Sequence, residues 1–221
     1  VNDVIYKFYG IALKNRHKYD KAIKVLERVL NSDKAEEANK DIAMKQIADS
    51  YKELGEYDKA EELFKNSLAK KEANGTANYF DYEKIAELFI DQAQELNGND
   101  KIDVLWKADA MYAKGAATDL QYAGYGYYNQ IRIRSSIDED NKKGLGLEPA
   151  RKLYALMLTK GTLEGANKSF MVKACHYLGV YYLITKKSPK EAKQYWVKMY
   201  ETDPNNNNAI QVLTKQYKMK L

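Results

Sequence analysis

Between Met44 and Leu68 the chain reads MKQIADSYKELGEYDKAEELFKNSL. Met44, Ile47, Ala48 and Tyr51 recur at the three- and four-residue steps that place side chains on one helical face, and so do Ala60, Leu63, Phe64 and Ser67. The two stripes are separated by Leu54-Gly55-Glu56-Tyr57-Asp58. Glycine can end one helix there, and an aspartate in the opening turn of the next suits the positive end of its dipole. The segment therefore predicts two helices joined by a tight turn, with small residues, Ala48 and Ala60, where they touch.

The pattern recurs along the chain. Tyr6, Tyr9, Gly10 and Leu13 precede Tyr19-Asp20-Lys21-Ala22 and Leu26; Ile85, Ala86 and Phe89 precede Ala108 and Tyr112. Gly124 and Tyr127 precede Pro149-Ala150 and Tyr154, and Leu178, Gly179 and Tyr182 precede Pro189-Lys190-Glu191-Ala192, Trp196 and Asp203-Pro204-Asn205-Asn206. Alanines 22, 60, 108, 150 and 192 lie 38, 48, 42 and 42 residues apart. In its small positions, its aromatic positions and its closing Asp-Pro-Asn turn the chain resembles the tetratricopeptide-repeat family, whose ideal period is about 34 residues. The resemblance implies an all-α, right-handed superhelical solenoid of antiparallel helix pairs, about eleven helices in one domain over 1–221. The expected units are 3–34, 35–72, 77–116, 117–160 and 166–204, with a cap at 205–221. Pro149 and Pro189 suit the first turn of a helix and Pro204 suits a stop. Two loop-forming stretches, Asn97-Gly98-Asn99-Asp100 and residues 135–146, are expected to carry the excess length, the second as the most mobile internal segment.

Composition narrows the function. A hydrophobic fraction of 45% excludes general disorder, and 30% charged residues with no long apolar run leave no membrane-spanning helix to read. One cysteine and two histidines exclude a disulfide framework and a cysteine- or histidine-rich metal site, so no cofactor is expected. Cys175 and His176 are neighbours in sequence, but adjacent helical residues point about 100° apart and do not face each other. Gly124-Tyr125-Gly126 and Gly144-Leu145-Gly146 match no phosphate-cradling loop. The acidic run 138–141 lacks the calcium-loop spacing. No enzyme is expected. The opening Val1-Asn2-Asp3 shows no signal peptide and begins the first unit abruptly, as in a piece of a longer protein; cytoplasm and bacterial periplasm or envelope both stay open.

Charge is unevenly divided. Residues 1–110 hold 18 Lys/Arg against 22 Asp/Glu, net −4, and residues 111–221 hold 18 against 9, net +9. The resemblance implies a non-catalytic scaffold that binds a protein or peptide partner in its concave groove. Such a groove would be lined on the fourth unit's first helix by Gln121, Tyr125, Tyr128, Asn129 and Arg132, and on the fifth by Lys173, His176 and Val180. Aromatic area, amides and positive charge together suit an extended peptide with an acidic group, and no small-molecule substrate is expected. The carboxylate clamp of chaperone-tail binders is not expected, because Ile11 stands where its asparagine belongs, although Lys7 and Lys45 are suitably placed. RNA binding through the basic, tyrosine-rich half and service as a regulatory subunit of a larger assembly are the alternatives.

Overall fold

The structure is a computed structural model that describes residues 2–221. Among these residues there are eleven α-helices and no strand. In chain order they are α1 (Asp3–Asn15), α2 (Tyr19–Leu30), α3 (Glu37–Glu53), α4 (Tyr57–Ala73), α5 (Tyr79–Gln94), α6 (Gly98–Thr118), α7 (Ala123–Ile137), α8 (Leu147–Leu158), α9 (Gly165–Val180), α10 (Pro189–Thr202) and α11 (Asn207–Lys215). Consecutive helices pack on one another from α1 to α5 in the first part of the chain and from α7 to α11 in the second, in keeping with the all-α class expected from the repeats. The chain divides into two compact units, 1–108 and 109–221, and the division falls inside α6.

The turn between α3 and α4 shows how local sequence sets a pair. Gly55 adopts the left-handed conformation at φ +74°, its N–H donates to the Lys52 carbonyl, and the Glu56 N–H donates to the Tyr51 carbonyl. These are the two bonds of a Schellman cap, and glycine enters that conformation without the Cβ penalty. His17 takes the same place after α1 at φ +56°, with its N–H on Lys14 and that of Lys18 on Leu13.

In the first unit Ala22, Leu26, Val29, Ala43 and Ile47 build one buried cluster, closed by Leu13 and Ile23. Small residues allow the close approach: Ala22, Ala48 and Ala60 are fully buried. Ion pairs then stitch together the first helices of successive pairs. Asp49 of α3 accepts from Lys14 of α1 at 3.3 Å and from Lys84 of α5 at 2.9 Å, and Asp91 of α5 accepts from Lys52 of α3 at 2.9 Å.

The second unit is built around Leu153, Met157, Met171, Cys175, Leu178 and Trp196, all buried in one cluster with Ala150, Ala174, Ala192 and Ala209. Asp109, on the last part of α6, is 4% exposed. It accepts two bonds from the Arg134 guanidinium, at 2.8 Å each, and one from Gln130 at 3.1 Å.

Two expectations about chain length change. Residues 98–100 are not loop: they open α6, which runs for 21 residues, so the third repeat is long because its helix is long. The stretch 135–146 is helical to Ile137 and then pinned rather than loose. The buried Asp138 carboxylate accepts the N–H groups of Lys143 at 3.1 Å and Leu145 at 3.3 Å. Gly146 N–H donates to the Tyr177 hydroxyl at 2.8 Å, and the Thr185 hydroxyl donates to the Asn141 carbonyl at 2.8 Å. Past Val180 the chain also widens into a π-helical turn at Tyr181–Thr185.

Candidate functional site

In the second unit a cavity of about 370 Å³ opens beside α9. Lys168, Ser169, Val172, Lys173 and His176 line it at the spacing of one helical face. Tyr128 of α7 and Met199 of α10 contribute apolar surface, and Asp203, Asn206 and Asn208 form a polar wall where the chain passes from α10 into α11. That wall is held in place by two contacts. Lys168 pairs with Asp203 at 2.9 Å, and the Asn206 side chain caps α11 by accepting the Ala209 N–H at 3.2 Å. The Lys168 ammonium beside Asp203 holds that carboxyl below the usual carboxylate range.

Three of the eight expected residues, Tyr128, Lys173 and His176, lie on this cavity. Arg132, one turn beyond Tyr128, is exposed; its guanidinium donates to the Asn129 side chain at 3.1 Å and acts electrostatically on Lys173. Tyr125 and Tyr128 both pack on the buried Phe170, with ring centroids 4.9 and 5.4 Å away, while Tyr125 keeps 41% of its surface exposed. Gln121 is not on a helix: it sits in the turn before α7, where its N–H donates to the Asp119 carboxylate at 3.1 Å. Val180 ends α9 and packs against the core.

Burial and like charge govern the ionisable groups. Desolvation lowers the Lys173 pKa, and the Arg132 guanidinium lowers it further. His176 is held below the usual histidine range, first by burial and then by Lys173, and its ring meets the edge of Trp196 at 5.7 Å. Cys175 is fully buried, and desolvation pushes its thiol up to about 12. A thiol in that state is not a nucleophile near neutral pH.

The first unit offers different surroundings. A cavity of about 490 Å³ is lined by Lys14, His17, Tyr19, Asp49, Lys52, Glu53 and Lys84, most of whose charges are joined in ion pairs. A second, of about 260 Å³, lies among Lys45, Phe64, Phe80, Asp81 and Lys84. The contribution of Lys168, Met199, Asp203, Asn206 and Asn208 to the second-unit cavity was not read from sequence. Asp203-Pro204-Asn205-Asn206 shows only a turn there, although the face Lys168-Val172-His176 has helical spacing.

Residues 43–76 match the tetratricopeptide repeat family model. No curated protein matches the chain. Two solved structures are similar. One is the human IFIT1 dimer with m7Gppp-AAAA, at 17% identity and a TM-score of 0.51, aligned over 97% of this chain and 46% of that one, so this chain spans about half of its length. The other is the MamA protein, at 19% identity and a TM-score of 0.47, aligned over 99% and 97%. The described residues are thus all-helical in their regular structure, and residues 43–76 match a tetratricopeptide repeat.

Proposed function

We propose that the chain is a non-catalytic scaffold that holds an extended peptide segment of a protein partner against α7 and α9, on Tyr125, Tyr128, Asn129, Arg132, Lys173 and His176. The observation that carries this reading is the second-unit cavity, with Tyr128, Lys173 and His176 on its lining. It combines apolar and ring surface with a half-buried ammonium, and the side chains sit on helices whose packing already holds them. A ligand entering there meets surfaces that need little further ordering, which is what a binding site on a repeat scaffold gains from preorganisation.

A random-peptide display selection against the protein tests the reading. Selected peptides should bind the folded double variant Tyr125→Ala with Tyr128→Ala at least tenfold more weakly than the exposed control Lys193→Ala. Equal affinities would remove this surface from consideration. RNA binding ranks second, supported by the net +9 of residues 111–221; an affinity for single-stranded RNA that falls steeply with salt would favour it.

A further inference from the structure

The two units differ in how they treat their cations. In the first, Lys14, Lys52 and Lys84 all meet carboxylates of neighbouring helices at 3.3 Å or less. In the second, Asp109 is committed to Arg134 and Asp203 to Lys168. Among the described residues Lys173 and Arg132 have no carboxylate partner, and the His176 ring has an aromatic neighbour but no hydrogen-bond partner. Lys173 and His176 therefore lie on the cavity, and Arg132 stands close enough to Lys173 to act on it, with no anion pairing either cation among the described residues.

Burying a cation without a partner opposes folding, and a second cation beside it adds repulsion. An arrangement of this kind gains most from an anion supplied by something else. We infer that the cavity beside α9 is a proton-coupled anion site: an anionic side chain of the bound peptide, a carboxylate or a phosphate, sits between Lys173 and Arg132, and His176 takes up a proton as it enters. This deepens the proposed peptide-binding role and rests on it. Tyr128, Val172 and Met199 complete the specificity by favouring an apolar residue next to the acid.

The proton coupling follows from what surrounds His176. Tyr128 of α7 shares the cavity with it, and Arg132 of α7 acts on Lys173; Lys168 and Lys173 lie on α9 itself, and Asp203, at the end of α10, is already paired with Lys168. Also on α10, Lys198 and Glu201 pair with each other at 3.5 Å, and the start of α11 contributes the neutral Asn206, its cap, and Asn208 to the cavity. Without ligand, burial and Lys173 hold the imidazole pKa below the usual histidine range. An anion at Lys173 cancels the repulsion and raises the imidazole pKa, so between the two values the complex binds up to one more proton than its parts. Affinity must then increase as pH falls between the bound-state and free-state values, by at most about tenfold per pH unit for one proton.

Nuclear magnetic resonance titration tests this with three blocked hexapeptides: hexaglutamate, hexaglutamine and a hexaglutamine with one phosphoserine. The chain has two histidines, so the His176 ring is readily assigned against His17. Hexaglutamate should shift the Lys173 and His176 side-chain signals and bind at least fivefold more tightly at pH 6 than at pH 8; hexaglutamine should do neither. The phosphoserine peptide tells which anion is preferred. Lys173→Gln and Arg132→Gln should each weaken hexaglutamate at least fivefold, and His176→Gln should bind it equally at pH 6 and pH 8, whereas the control Lys193→Gln keeps the pH dependence of the parent protein. Equal binding of hexaglutamate and hexaglutamine, or a pH dependence that survives in His176→Gln, would overturn the anion site. The peptide-binding reading is judged separately by whether display-selected peptides need Tyr125 and Tyr128.

Discussion

Gly179 lies near the end of α9 where α10 crosses it, and its replacement by alanine probes the helix contact on which the second unit depends. A Cβ built there would lie 2.7 Å from Cε2 and 2.8 Å from Nε1 of Trp196, an indole that is 2% exposed. The ring is rigid, meets His176 edge-on and sits within the core cluster of the second unit, so it cannot rotate away as the end of a flexible chain could. Overpacking of a core costs about 1–3 kcal/mol, and two contacts below 3.0 Å on a rigid ring belong in the upper part of that range. Alanine is favoured over glycine within a helix by about 1 kcal/mol. The expected net loss is about 1–2 kcal/mol, a fall in Tm of roughly 2–8 °C at about 2–4 °C per kcal/mol for a chain of this size. Thermal unfolding followed by circular dichroism measures it. Ala155→Gly, at an exposed position inside α8, calibrates the propensity contribution and should cost about 1 kcal/mol. If Gly179→Ala raised Tm by as much as Ala155→Gly lowers it, the close approach of Trp196 would not govern this contact.

Asp109→Ala would leave the half-buried Arg134 guanidinium without its bidentate partner and should cost about 3–5 kcal/mol, measurable by urea unfolding. Asp138→Ala would free the N–H groups of Lys143 and Leu145; a loss of about 1–3 kcal/mol should come with new proteolytic cleavage between residues 139 and 145, absent from the parent protein. Tyr177 and Cys175 are both raised to about 12, chiefly by burial. The folded state therefore keeps protons that the unfolded state releases, and this contribution to stability is complete below about pH 8.5 and is lost as pH rises toward 12. Urea midpoints should fall across that window, less steeply in Cys175→Ala. In the native protein at pH 8, Cys175 should resist iodoacetamide until denaturant is added, as mass spectrometry would show.

Much of the fold is legible in the sequence because repetition carries it. A stripe of apolar residues at helical spacing, a left-handed glycine at position 55 and a small residue at each helix contact suffice to specify one pair, and recurrence of the same signals specifies the others. The candidate site is only partly legible. Tyr128, Lys173 and His176 share a cavity because α7 packs beside α9, which helical spacing on each can anticipate. Gln121 falls outside the helix because Asp119 organises a turn that the apolar pattern does not register.

What the sequence by itself determined is the class of structure and the kind of surface: helix pairs, a basic second half, and ring and cation side chains on two first helices. Which charges are cancelled was decided only by tertiary structure. Arg132 and Arg134 are two residues apart and equally basic, yet Arg134 turns inward to Asp109, 25 positions earlier, while Arg132 stays outside beside Lys173. The same holds for 138–146, whose acidic, glycine-bearing sequence reads as loose until Asp138 is seen to bind the backbone of the residues that follow it. Helical periodicity is a property of near neighbours and survives in a linear reading. Electrostatic compensation depends on distances between helices, and those arise only when the pairs are packed.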